Sequence, residues 1–121
     1  MSPPGEQARE ELPAGWVRAV LDMGILSILA GGDRHGYALA QQLSGWGFGV
    51  IRGGSLYPVL NRLEAESLVS ATWHAGEGGP GRKVYALTRS GRQRLGRDRE
   101  QWERFAATVS RMMAEGAKET A

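Results

Sequence analysis

The chain has 121 residues, 41% of them apolar and 23% charged, with a net charge of +2 and no cysteine. That length suits one small domain with a modest core, so burial against a second copy would add stability. The composition excludes a disulfide framework and a thiolate metal site, and no apolar run approaches the ~20 residues that span a bilayer, so a cytoplasmic protein with no membrane partner is expected.

Residues 1–13 mix proline, glycine and charge with little periodicity and read as a loose arm. Apolar residues at positions 17, 20, 21, 25, 28 and 29 then repeat at helical spacing, predicting a first helix over 16–30 that stops at Gly31 and Gly32. His35 stands just ahead of a short second helix, 37–43, as a structural residue, with Leu39 and Leu43 one turn apart and Gly45 closing it. Residues 46–54 form a glycine-rich turn.

A third helix is expected over 56–66, with Ser55 as its N-cap accepting from the Tyr57 amide and Pro58 in the first turn, where its missing N–H costs nothing. Leu68, Val69, Ala71 and Trp73 open an extended segment, residues 76–81 supply a mobile turn, and residues 83–87 return as a second strand. Thr88 or Ser90 can cap a last helix running to about residue 115.

At about 100° per residue, Leu56, Val59, Leu60 and Leu63 share one stripe of the third helix, and Tyr57, Pro58, Asn61, Arg62 and Ala65 lie opposite. The stripe faces a core. On the outer face, Asn61 can pair two-pronged with adenine, Arg62 with guanine or a phosphate, and Tyr57 can meet a thymine methyl or a backbone oxygen. A solvated helix face is the plainer explanation of any such pattern taken alone.

Context favours a reader of DNA. Of the 15 basic residues, 8 fall between Arg82 and Arg104, opposed there only by Asp98, Glu100 and Glu103. Arg97 to Arg104 alternates with those acids as an ion-paired solvent face would, which leaves Arg82 and Lys83 as the candidates for phosphate contact. The element order is helix, helix, turn, helix, hairpin, long helix. It predicts a mainly α fold with a small antiparallel β-hairpin: a winged helix-turn-helix whose hairpin is the wing, followed by a long C-terminal dimerisation helix. The expected divisions are an arm at 1–14, the DNA-binding domain at 15–88 and the dimerisation helix at 89–121.

On these residues the chain resembles the PadR family of transcriptional regulators. The likeness is carried by His35-Gly36-Tyr37-Ala38-Leu39, Gly54-Ser55-Leu56-Tyr57-Pro58, Arg62-Leu63-Glu64, Gly78-Gly79-Pro80-Gly81-Arg82-Lys83 and Tyr85-Ala86-Leu87-Thr88. It covers roughly residues 20–113 and is similar to the short subgroup with a single last helix. The resemblance implies a dimeric repressor, in many members released from DNA by small molecules. Two positions depart from the family pattern: Ser67 stands where a glycine is usual, so the third helix is expected to end differently, and Val84 stands in place of a second aromatic, thinning the wing base.

On the last helix, Leu95, Trp102, Phe105, Val109 and Met112 occupy a and d positions of a heptad with Asp98 as the polar interruption, so the seam can zip against a partner helix as well as pack on the first helix. A two-fold dimer would carry two third helices to major grooves about one DNA turn apart, on a roughly palindromic operator. By resemblance, Trp102 would line a cleft between subunits and stack on a planar, apolar or cationic effector. Trp16 would line the same place, since an amphipathic first helix near the dimer axis would face it. Packing without a ligand explains Trp102 equally well.

No catalytic or metal site is expected. The two histidines, His35 and His74, lie far apart with no ligand set around them, and no nucleophile, base and electrophile converge. Gly47-Phe48-Gly49 lacks the third glycine of a dinucleotide fingerprint, and residues 76–83 lack the Lys-Ser/Thr pair of a phosphate loop, so no cofactor is expected. The function that follows is a sequence-specific regulator, a ligand-responsive homodimeric repressor. The site would comprise Ser55, Tyr57, Pro58, Asn61 and Arg62 in the major groove with Arg82 and Lys83 on phosphates. The alternative is a winged-helix interaction module that docks a partner protein through its last helix.

Overall fold

The structure, a computed structural model, describes residues 11–76 and 78–120. Its elements are α1 (Ala14–Ala30), β1 (Arg34–His35), α2 (Gly36–Leu43), a wide π-type turn (Ser44–Phe48), α3 (Gly53–Ala65), β2 (Val69–Gly76), β3 (Gly79–Leu87) and α4 (Arg89–Thr120). The fold is mainly helical with a small antiparallel sheet, the winged arrangement that the element order predicts. Most of the expected N-terminal arm, residues 1–10, lies outside the described residues. Its end is held, because the Leu12 amide donates to the Gly47 carbonyl at 2.8 Å.

One apolar cluster joins the elements: Leu21, Ile25, Leu26 and Leu29 of α1, Leu39 and Leu43 of α2, and Leu56, Leu60 and Leu63 of α3. Tyr85 of β3, Leu95 of α4, Ile28 of α1, and Leu68 and Val69 at the start of the wing also belong to it. The stripe read from α3 is therefore its core face, with Val59 packed at the margin. Non-directional burial of this kind is what fixes the three helices against one another.

The sheet has three strands in the order β1-β3-β2, all antiparallel. The hairpin was legible in alternation; β1 was not. Two residues are too short to show a period, and Arg34 and His35 pair with Tyr85 and Val84 only because the chain turns back on itself after α1. The expected six-residue mobile turn is also shorter than read. Both strands continue into it, Gly76 pairing with Gly79 after a register shift beyond His74.

Three local readings of α3 need correction. The helix begins at Gly53, with Arg52 as its N-cap and no side-chain capping bond, so Ser55 is inside the first turn and is not the cap. The Ser55 and Leu56 amides both donate to the Arg52 carbonyl, at 2.9 Å each. Pro58 consequently lies inside the helix, one turn beyond where its missing N–H is free of cost, and removes the amide that would have bonded to the Gly54 carbonyl. At the other end, the loss of the usual glycine does not alter the ending. Ser67 itself takes the left-handed conformation, φ 62°. Its amide donates to the Glu64 carbonyl and that of Leu68 to the Leu63 carbonyl, both at 2.9 Å, which is the paired-bond Schellman ending.

The last helix runs longer than expected, and Thr88 is its cap: the Thr88 hydroxyl accepts from the Gly91 amide at 3.0 Å and donates to the Ser67 carbonyl at 2.6 Å. That single hydroxyl ties the start of α4 to the end of α3.

Candidate nucleic-acid interface

One open groove lies between the start of α2, the outer face of α3 and the wing, and Tyr57, Asn61, Arg82 and Lys83 line it together with His35 and Trp73. Four of the seven residues expected to meet DNA thus share one concavity, although they come from two elements, α3 and β3, that are separate in the chain. Ser55 and Pro58 are exposed on the same helix but do not line the groove.

The seat of Tyr57 explains a glycine. A Cβ on Gly36 would come within 2.9 Å of two carbons of the Tyr57 ring, so α2 must begin with glycine for the ring to lie across it. This close approach sets the distance between the two helices of the helix-turn-helix, and it leaves Tyr57 partly exposed at the groove edge. Asn61, one turn further on, is exposed, and among the described residues its side-chain amide makes no hydrogen bond, which is the condition a base-reading group would need.

The two wing cations differ. Lys83 is half-buried, 3.2 Å from a Glu64 carboxylate oxygen and 5.6 Å from the centre of the Tyr85 ring. Burial pushes the Tyr85 phenol above its ordinary value, and the Lys83 charge pulls partly against that shift. Arg82 is exposed, and its Nη1 stands 3.2 Å from His35 Nε2.

Arg62 is the clear departure from the expected site. Its Nη2 donates to both oxygens of Asp22 on α1, at 2.7 and 2.9 Å, and its Nη1 lies 3.5 Å from Glu66. The hydrogen bond to Asp22, and then the charge of that carboxylate, hold the guanidinium above its ordinary pKa. Arg62 lines a different cleft, between α1 and α4, and there it ties α3 to α1. No sequence signal announces a pair 40 positions apart; only the folded neighbourhood of α1 and α3 creates it.

That second region holds the other expected site. Trp102 faces a cleft of about 270 Å³ with Met23, Phe48, Asp98 and Arg99 among its lining. Asp98 is buried, bonded to Arg94 Nε at 3.1 Å through one oxygen, while its other oxygen is buried with no hydrogen-bond partner among the described residues. Trp16, expected in the same place, is largely exposed on α1 and does not line the cleft. Along the rest of α4 the seam divides: Leu95 belongs to the chain's own core, whereas Trp102, Phe105 and Met112 are exposed, with Val109 half-covered. Among the described residues no cluster of metal-ligating side chains occurs, and no helix is long and apolar enough to cross a membrane.

Comparison with known proteins accords with this geometry. A model of the Transcriptional regulator PadR-like family matches residues 25–97, a span that takes in α2, α3, the wing and the start of α4. Transcriptional regulator Rv3488 of Mycobacterium tuberculosis is 39% identical over 92 residues, covering 76% of this chain and 84% of that protein. The crystal structure of a PadR-like transcriptional regulator from Bacillus cereus superposes with a TM-score of 0.74 at 32% identity, over 82% of this chain and 96% of the other. A PadR family transcriptional regulator from Eggerthella lenta gives 0.75 at 31% identity, over 82% and 86% of the two chains. With the motif residues, the winged fold and these matches in agreement, the chain belongs to the PadR-like family of transcriptional regulators.

Proposed function

We propose that this PadR-family transcriptional regulator, a DNA-binding protein by its family and not an enzyme, is a homodimeric repressor that reads a roughly palindromic operator and is released by a small molecule. The observation that carries the DNA reading is the shared groove: the Asn61 amide, the Tyr57 ring and two cations on a single concave surface. Asn61 and Tyr57 would meet base edges, Ser55 and Pro58 would pass close to the backbone at the start of α3, and Arg82 and Lys83 would hold phosphates. Arg62, engaged with Asp22, holds α3 in place for that role.

Dimerisation is supported by the exposed apolar residues Trp102, Phe105 and Met112 along α4, with Val109 between them, which in an isolated chain would face water. An effector is supported by the cleft beside Trp102. The ring face suits a planar group, and the Asp98 carboxylate among the lining residues favours one carrying a positive charge.

The test is the affinity for duplex DNA measured by fluorescence anisotropy over a range of salt. Each phosphate neutralised by a cation contributes about −0.9 to the slope of log affinity against log salt, so binding is expected to weaken steeply. Retention on heparin is expected as well. A protein-docking module would ignore both polyanions, and that result would reject the DNA reading.

A further inference from the structure

The contact between His35 and Arg82 and the cap that His35 provides to α2 cannot both be ordinary hydrogen bonds to a neutral ring. His35 caps α2, its Nδ1 accepting from the Ala38 amide at 3.2 Å. A neutral imidazole has one lone pair to offer, so with Nδ1 accepting, the ring proton is on Nε2. That N–H then stands 3.2 Å from Arg82 Nη1, and a guanidinium has no acceptor. Two donors face each other. Moving the ring proton to Nδ1 only transfers the conflict to the Ala38 amide, which is half-buried and is one of the helix's first unpaired N–H groups. Arg82 is exposed and meets water, so the conflict rests at the solvent end.

The ring cannot easily leave. Its backbone is pinned in β1 opposite Val84, and it stacks on Tyr37 with centroids 6.4 Å apart and planes at 9°. Both donors open into the groove that Tyr57 and Asn61 line, and no carboxylate is among the residues lining it. A pair of converging N–H donors, one of them charged, is completed by an anionic acceptor.

We propose that His35 Nε2–H and the Arg82 guanidinium together form a binding site for a phosphate group, occupied on DNA by one backbone phosphate beside the bases that Asn61 reads. The inference rests on the DNA reading for its natural ligand, but the anion site is a property of the pair itself. His35 is thus a contact residue as well as a helix cap, and it joins the wing to α2 through the ligand.

His35→Asn separates the two roles, because asparagine is among the best N-caps and keeps an acceptor for the Ala38 amide while the ring donor is lost. Affinity for a fixed duplex is measured for the full chain, His35→Asn, Arg82→Ala and the double variant, alongside the melting temperature of each. His35→Asn is expected to melt as the parent does and to bind about tenfold more weakly on every sequence. Its salt slope stays unchanged, since a neutral donor releases no counterion, whereas Arg82→Ala lowers the slope by about one. The double variant binds little worse than the weaker single variant, because both donors serve one acceptor.

A second arm titrates inorganic phosphate into the free protein and follows the Nε2 resonance of His35 in a nitrogen-15 spectrum. A shift that disappears in Arg82→Ala supports the anion site even if no duplex is bound, in which case the DNA reading alone has failed. Parental affinity of His35→Asn for DNA, or no shift with phosphate, overturns the proposal. Should His35→Asn not fold, Arg82→Ala and the phosphate titration decide the matter.

Discussion

Replacing Phe105 by aspartate is expected to abolish the dimer while leaving the winged body intact. Phe105 is 62% exposed in the single chain and contributes nothing to the core, its ring meeting only that of Trp102 at 6.0 Å among aromatic neighbours. A phenylalanine side chain can bury roughly 200 Å², so sealing its exposed part against a partner removes about 120 Å² per copy. At ~25 cal/mol per Å² that is about 3 kcal/mol per copy, or about 6 kcal/mol for the two copies of a two-fold contact, as an upper bound. Realising even a third of it, about 2 kcal/mol, would shift the dissociation constant about thirtyfold on removal, and a carboxylate placed in the seam adds a desolvation penalty. Sedimentation velocity across the micromolar range measures this directly. The parent chain is expected to sediment as a dimer and Phe105→Asp as a monomer. Because the end of α4 then has no surface to pack on, the far-ultraviolet helical signal is also expected to fall. A parent chain that is monomeric throughout, or a variant that remains dimeric, would rule out Phe105 as part of a dimer seam.

Three further changes probe other parts of the molecule. Asn61→Ala is expected to relax preference at one base position in a binding-site selection, at a cost of about 1–3 kcal/mol on the preferred base; an unchanged consensus would remove Asn61 from the reading role. Glu64→Gln frees Lys83 of its counter-charge, so affinity for all duplexes at low salt is expected to rise, by up to about fivefold; anisotropy titrations would show it, and no change would mean that Lys83 is not a phosphate contact. Ser67→Gly relieves a left-handed backbone that costs about 1–2 kcal/mol in a residue with a Cβ, against about 0.5–1 kcal/mol for the extra freedom of glycine in the unfolded chain, so a rise of a few degrees in melting temperature is expected. A lower melting temperature would mean that Ser67 is held by something other than this turn.

What could be read from the chain alone follows the range of the interactions involved. The stripe of Leu56, Leu60 and Leu63 was legible because a helix repeats its core face at fixed spacing, and the hairpin because strands alternate. A cap at Thr88 or Ser90 was legible because such a bond acts within a few residues, and the structure has it at Thr88. Where the reading failed, the deciding contact came from elsewhere. Gly53 and Gly54 have poor helix propensity, yet they open α3; the Tyr57 ring seated on Gly36 is part of the setting that overrides the local preference. Ser67 adopts a glycine's conformation because Leu63 and Leu68 are both buried in the core and the turn between them must close.

The candidate site divides in the same way. The outward positions of Tyr57 and Asn61 follow from periodicity, and the wing cations from their place beside the glycine-rich turn. That Arg62 is claimed by Asp22, that Lys83 shares its charge with Glu64, and that His35 stands against Arg82 all depend on residues brought together by the fold across 19 to 47 positions. Charge type alone cannot say which arginine is free to meet a phosphate. Arg62 is engaged by Asp22 and Glu66, whereas Arg82 is exposed in the groove, which supports the phosphate role proposed for Arg82.

Two copies of this chain are proposed to present their α3 faces to successive major grooves of one duplex. Selection of bound fragments from a random DNA pool at moderate salt tests it most directly. The expected result is a palindromic consensus whose half-sites are centred about 10 base pairs apart or a multiple of that spacing. Absence of enrichment, or a single asymmetric site, would contradict it.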